Sequence, residues 1–169
     1  MSPPWSGYSD EVVDYPDESA ESVDEEFMRT ALELAAEAEA EGEVPVGAVV
    51  VIDGRIVGRG YNSPVSEQDP TAHAEMLAIR QAAKAVGNYR LTGSTLYVTL
   101  EPCPMCAGAM VHARVGRLVF GARDLRFGGI RSKFRLADSD LLNHRVEVVE
   151  GVCAADCLER LQRFFARRR

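Results

Sequence analysis

Two short segments hold the residue types from which a metal-dependent hydrolytic site can be built: Thr71-Ala-His73-Ala-Glu75 and Glu101-Pro-Cys103-Pro-Met-Cys106. Cysteines three apart on the first turn of a helix project to the same side, so both sulfurs can reach one ion. A helix N-terminus also lowers thiol pKa and favours the thiolate form that binds zinc. With the neutral imidazole of His73 these make three protein ligands, the number found in a catalytic zinc site that keeps one position for water. A structural site would normally be closed by a fourth ligand. The remaining candidates are His112, His144, Cys153 and Cys157, and none completes a second close-spaced pair with the first set. Cys153 and Cys157, four apart on an amphipathic stretch, read as small core residues.

Zinc brings the pKa of its bound water towards about 7, but hydrolysis at such a centre also needs a group that moves protons. Glu75 is the candidate. It follows His73 by two residues, which on a helix separates their directions by roughly 200 degrees. At the first turn this separation lets His73 face the metal while Glu75 reaches the water and the substrate, a geometry that the sequence leaves open.

The elements around these segments must bring them together. Ser22 followed by Glu25 forms a possible capping box, and Phe27, Ala31, Leu34, Ala35 and Ala38 recur at helical spacing, so a first helix is expected to end near Gly42. Two β-rich runs, 46–52 and 55–61, flank Asp53-Gly54, a strong hairpin signal. A helix is expected over 74–86, stopping at Gly87-Asn88, then a strand at 95–100, a short helix over 103–113 and a strand at 117–121. Two successive strand-helix-strand crossovers imply locally parallel pairing. Residues 122–144 read as mostly irregular, 146–149 as a last strand, and 153–168 as an amphipathic helix with Leu158, Leu161, Phe164 and Phe165. The whole reads as a three-layer α/β domain with a mixed sheet of about five strands.

The chain of 169 residues, 46% hydrophobic, suits one compact domain. It contains no run approaching the roughly 18 apolar residues of a membrane span and no secretory leader pattern, so a soluble, cytoplasmic protein is expected. Its four cysteines then point to metal or redox chemistry more than to disulfides. The formal charge of −7 argues superficially against a nucleic-acid partner, yet residues 1–26 hold nine acids and no Lys or Arg. Setting those aside leaves +2 on residues 27–169, with clusters at Arg123, Arg126, Arg131, Lys133 and Arg135 and at Arg160, Arg163, Arg167, Arg168 and Arg169. The folded part can thus offer basic surface to phosphate, or these arginines are simply a solvated face and tail. Residues 1–22, rich in Pro, Ser, Gly and acids, are expected to form a flexible acidic leader before a domain over 23–169.

The order His-x-Glu, then Pro-Cys-x-x-Cys, resembles the zinc nucleoside and nucleobase deaminase superfamily with its cytidine deaminase-like fold. Each half alone is weak, since Cys-x-x-Cys also occurs in redox and structural-zinc proteins. The resemblance covers about residues 24–169. Glu43-Val-Pro-Val-Gly-Ala-Val49, Asp69-Pro-Thr-Ala-His-Ala-Glu75, Thr95 to Cys103, Met105 to Met110, Val119-Phe-Gly-Ala-Arg-Asp124, Asn143-His-Arg145 and Phe164-Phe165 look like the bacterial tRNA adenosine deaminases that make inosine at the wobble position.

That resemblance implies one Zn2+ per subunit on His73, Cys103 and Cys106, with Glu75 passing a proton from the water to the adenine ring. It further implies substrate-binding positions at Asn62, Asp124, Leu100 and Glu43, a tRNA anticodon loop as partner, and a homodimer. On local sequence alone, Asn62 reads as a turn residue before Ser63-Pro64, and Asp124 as a loop acid pairing with a nearby Arg. The chain departs from the family after Asp124: where relatives have Lys-Thr-Gly and small residues, it has the bulkier, more basic Leu125 to Arg135. Hydrolytic deamination of adenosine in a tRNA anticodon is the expected function. A small-molecule guanine, cytosine or nucleoside deaminase is the alternative, and a zinc-stapled, non-catalytic module is a third reading.

Overall fold

The computed structural model describes residues 22–168. The expected leader therefore lies outside the described residues except for Ser22, which caps the first helix. Its Oγ accepts the Glu25 N–H at 3.3 Å, and α1 (Val23–Ala40) opens with Asp24, Glu25 and Glu26, the charge sign that a helix N-terminus favours. The buried stripe of α1 is Met28, Ala31, Leu34, Ala35 and Ala38. Phe27, expected in that stripe, sits at its edge and meets the Tyr97 ring at 5.2 Å.

The hairpin forms as its turn chemistry dictates. Strands β1 (Gly47–Ile52) and β2 (Arg55–Tyr61) pair antiparallel, and Asp53 and Gly54 both take left-handed backbone angles, φ 51° and 72°. After α2 (Ala74–Val86), β3 (Thr95–Leu100) pairs antiparallel with β1 on its other side. After α3 (Pro104–His112), β4 (Arg117–Ala122) lies parallel to β3, and β5 (Glu147–Glu150) lies parallel to β4. The sheet order is β2-β1-β3-β4-β5, and α4 (Ala154–Ala166) follows it. Both expected crossovers connect strands running the same way. One leads from β2 past β1 to β3, and the other joins the neighbours β3 and β4.

Two hydrophobic layers sandwich this sheet. Ala48, Val50, Leu96, Val98, Leu118 and Phe120 face Ala78 and Ile79 of α2 and Met110 of α3, while Val49, Val51, Tyr97 and Val119 face Met28, Ala31 and Leu34 of α1 and Cys157 of α4. The alternation along β1 delivers one set of valines to each face. Helix α2 rides unusually low on β2: a Cβ at Gly58 or Gly60 would land on the Ala78 or Ala74 carbonyl, with the next helical nitrogens only 2.8 Å away. Two glycines on one strand face thus set the height of α2, and with it the position of the His73 segment.

The start of α1 is tied to the sheet by ions. Arg117 clamps Asp24 with two bonds of 2.8 and 2.7 Å, and the Tyr97 hydroxyl donates to the same carboxylate at 2.8 Å. The Arg117 bonds are the main reason that the Asp24 carboxyl is held below its ordinary range, against the opposing effect of burial. A lowered carboxyl pKa contributes stability that is fully present above about pH 4 and is lost as pH falls through the lowered value. Asp24→Asn should therefore destabilise the protein at pH 7, with the gap to the parent narrowing below about pH 4, as read by urea unfolding across that range.

Candidate functional site

Two helices begin side by side at the sheet edge where β3 and β4 end. His73 is the N-cap of α2 and Cys103 the N-cap of α3, both with extended backbone (φ −76°, ψ 151° and φ −73°, ψ 171°). Pro104 occupies the first turn of α3, where its missing N–H costs nothing. Cys106 is the N3 residue, and N-cap and N3 side chains lie next to each other at a helix start. The helical-wheel separation expected between His73 and Glu75 does not apply, because His73 precedes the helix. The two side chains instead line one pocket.

His73 Nδ1 lies 3.6 Å from Cys103 Sγ and 3.5 Å from Cys106 Sγ, and all three atoms are within 4.8 Å of one another. With zinc–sulfur bonds of about 2.3 Å and zinc–nitrogen bonds of about 2.0–2.1 Å, a tetrahedral ion holds nitrogen and sulfur about 3.6 Å apart. The donor set thus fits zinc in kind and spacing, with Nδ1 as the imidazole donor. Among the described residues this is the one such group of His, Cys, Asp and Glu. The Cys103 thiol is drawn down to about 4, chiefly by its hydrogen bond with Cys106, and the same bond pushes the Cys106 thiol up. His73 is raised, mainly by its bond to Cys103.

The other fourth-ligand candidates stand elsewhere. His144 Nε2 is 2.7 Å from the Val115 carbonyl, His112 is exposed at the end of α3, and Cys157 is core. Cys153 is the partly buried N-cap of α4.

Because the His73 side chain makes no cap bond to α2, the helix takes its acceptor from the residue just after β2: Asn62 Oδ1 receives the Ala74 N–H at 2.9 Å. Glu75 is 4% exposed, and burial raises its carboxyl, opposed by a hydrogen bond with Cys106. Above these groups opens a cavity of about 870 Å³, walled by Val44, Val46, Pro64, Leu100, Leu161 and Phe165 and rimmed by Asp124, Arg126, Phe127 and Arg168. That volume is typical of a pocket for a small organic ligand.

Residues 21–122 match the family model of the cytidine and deoxycytidylate deaminase zinc-binding region. The chain belongs to this family of zinc-dependent deaminases. Within it, the chain is 56% identical over 147 residues to a tRNA-specific adenosine deaminase of Haemophilus influenzae, covering 86% of this chain and 85% of that one. Among solved structures it resembles a tRNA:A34 deaminase studied for A-to-I editing at the wobble position, with TM-score 0.78, 43% identity, and coverage of 80% and 99% of the two chains. It also resembles the guanine deaminase of Nitrosomonas europaea, with TM-score 0.73, 26% identity and 84% of each chain covered. The cytidine deaminase-like fold expected from the signature is thereby established.

Placed on this deaminase scaffold, the expected substrate positions divide. Asn62, Leu100 and Asp124 reach the pocket wall, and Asp124 Oδ1 also accepts the N–H groups of Arg126 and Phe127 at 3.0 and 3.1 Å. The local expectation that Asp124 pairs with a neighbouring Arg thus holds only through backbone. Glu43 is 3% exposed, outside the pocket wall, and accepts the Ser66 N–H at 2.8 Å, bracing the loop that carries Pro64. Residues that sequence reasoning left unassigned to the site are Leu161 and Phe165 of α4, Arg168 just after it, and Glu101 beneath the 124–134 loop. Glu101 had a readable signal, since an acid closing an apolar strand requires buried partners.

The donor set predicts that Cys103→Ser or Cys106→Ser lowers bound zinc at least tenfold, measured as metal per chain by mass spectrometry. Cys157→Ser, in the core, should keep one zinc per chain.

Proposed function

We propose that the chain converts adenosine to inosine at the wobble position of a tRNA anticodon. The observation that carries this reading is the meeting of three zinc donors with a buried carboxyl whose pKa is raised by burial, with His73, Cys103 and Glu75 lining one pocket that has a cationic and aromatic rim. Identity of 56% to a tRNA-specific adenosine deaminase supports the substrate. The likeness to guanine deaminase, at 26% identity, leaves free-base deamination the lesser reading.

Zinc held by His73, Cys103 and Cys106 supplies Lewis acidity that brings the pKa of water towards neutrality. Glu75 takes the proton of the attacking water and delivers it to the ring nitrogen as the water oxygen bonds to C6 of adenine. The C6–N bond then breaks, a second proton passes through Glu75, and the amine leaves as ammonia. Burial suits Glu75 to this exchange, because a raised carboxyl pKa brings its two protonation states closer in energy near neutral pH. Asn62 has committed its carbonyl oxygen to α2, so its amide NH2 is the group that donates to the base. Leu100 packs against the base, and Asp124 stands where the ribose enters. Glu43 acts on the site through the 63–66 loop. An anticodon loop suits the pocket, since an unpaired base is splayed into it without melting a duplex.

The test incubates the protein with an adenosine-containing anticodon stem-loop, guanine and cytosine separately and identifies products by mass. Inosine from the stem-loop alone supports the proposal, and xanthine from guanine without inosine overturns it. Glu75→Gln should keep its zinc and fold and lose turnover by about 10²-fold or more.

The domain spans 23–169 behind the leader, and the enzyme is a cytoplasmic homodimer. No helix among the described residues is long and apolar enough to cross a membrane, in keeping with that location. Helix α3 supports the dimer: Met105, Gly108 and Ala109 form a partly open, uncharged flank, and nothing lies within 4 Å of a Cβ built on Gly108. Light scattering should return twice the 18.5 kDa of one chain.

A further inference from the structure

Residues 124–134 form no helix or strand, yet they carry Asp124, Arg126 and Phe127 to the pocket mouth. Phe127 is 65% exposed, so burial of its own ring does not hold it there. What holds this arch is a carboxylate from a different part of the chain. Glu101, 2% exposed, directly follows β3, two residues before Cys103. Its Oε2 accepts the consecutive N–H groups of Ile130, Arg131 and Ser132 at 3.1, 2.8 and 3.0 Å. Its Oε1 accepts the Asp124 N–H at 3.2 Å and the Ser132 hydroxyl.

Five donors thus converge on one buried charge, enough to replace water without a cation. The arch is shaped to admit it. A Cβ at Gly128 would land on the carboxylate, Gly129 lies against the Cys103–Pro104 backbone, and the Gly129 N–H donates to the Pro102 carbonyl at 2.7 Å. The strand that leads into the metal ligands therefore also carries the anchor of the substrate wall.

We propose that Glu101 is a positioning residue that pre-forms the 124–132 arch, presenting Phe127 as a stacking surface for a nucleotide beside the target adenosine. This rests on the proposed RNA substrate. Ordering the arch before RNA arrives removes that cost from binding, so Glu101 acts on substrate affinity through the groups the arch carries, Phe127 foremost and Asp124 with it, and leaves the chemical step alone. Glutamine is the informative replacement. Its amide NH2 would face N–H or O–H donors on one side of the nest, so the five bonds cannot all survive.

With an anticodon stem-loop, Glu101→Gln should raise KM by about tenfold while kcat stays within about twofold and zinc stays at one per chain. Phe127→Ala should raise KM similarly, and the double variant should lose no more than the worse single one, because both act through one arch. Without RNA, the amides of Ile130, Arg131 and Ser132 should exchange faster in Glu101→Gln. Ser132→Ala, which removes one bond of the five, should show a smaller effect of the same kind and serves if Glu101→Gln does not fold. Additive KM losses, a fall in kcat, loss of zinc, or unchanged exchange would each overturn the role. If the parent protein fails to deaminate the stem-loop, the proposed function falls, while exchange at 130–132 still decides whether Glu101 braces the arch.

Discussion

Three donor atoms must meet within 4.8 Å of one another, the imidazole coming from a residue 30 and 33 positions before the two cysteines, and much of the architecture follows from that requirement. The fold meets it by starting two helices next to each other and taking two ligands, His73 and Cys103, from their N-caps and the third, Cys106, from the first turn of α3. A cap residue is extended, so its side chain is free to turn towards the neighbouring helix start. The cost is a helix start without its own side-chain cap, and Asn62, just after β2, offsets it for α2. Glycines at 58 and 60 then fix how closely α2 lies on the sheet, which leaves little freedom in where His73 stands.

Two buried acids beside this centre behave oppositely, and environment explains both. Burial raises Glu75, and its few hydrogen bonds do not reverse the effect. Burial also raises Glu101, but bonds from Ser132, Arg131 and Ile130 more than cancel it, so that carboxyl ends below its usual value. An acid poor in donors keeps a proton within reach and can exchange it. One saturated with donors stays ionised and serves as a fixed anchor.

Much of this was legible in the sequence because it is local. The 74–86 helix, the Asp53-Gly54 turn and the Ser22 cap each follow from neighbouring residues, and β5 lies within one position of its expected place. The His-x-Glu and Cys-x-x-Cys spacings likewise announce their donors. What was not legible depends on chain segments meeting across the fold. How His73 and Glu75 both reach the pocket was left open by the helical wheel, because no periodicity reveals that a residue is a cap. Leu161 and Phe165 read as an amphipathic face, but which cavity that face borders is settled by α4 packing beside β4. Glu43 was expected at the substrate and instead supports Ser66, a distinction that only the path of the 63–66 loop makes.

The clamp between Asp24 and Arg117 has a bearing on how the two ends of the described fold are placed. Arg117 begins β4, whereas the pocket opens beyond the far end of that six-residue strand, a distance of about 17–20 Å along the sheet. Ser22 and the start of α1 are therefore held at the pole opposite the mouth. The two ends of the described fold thus differ in kind: the first is pinned far from where a bulky polynucleotide approaches, and the last, through Phe165 and Arg168, frames that entrance.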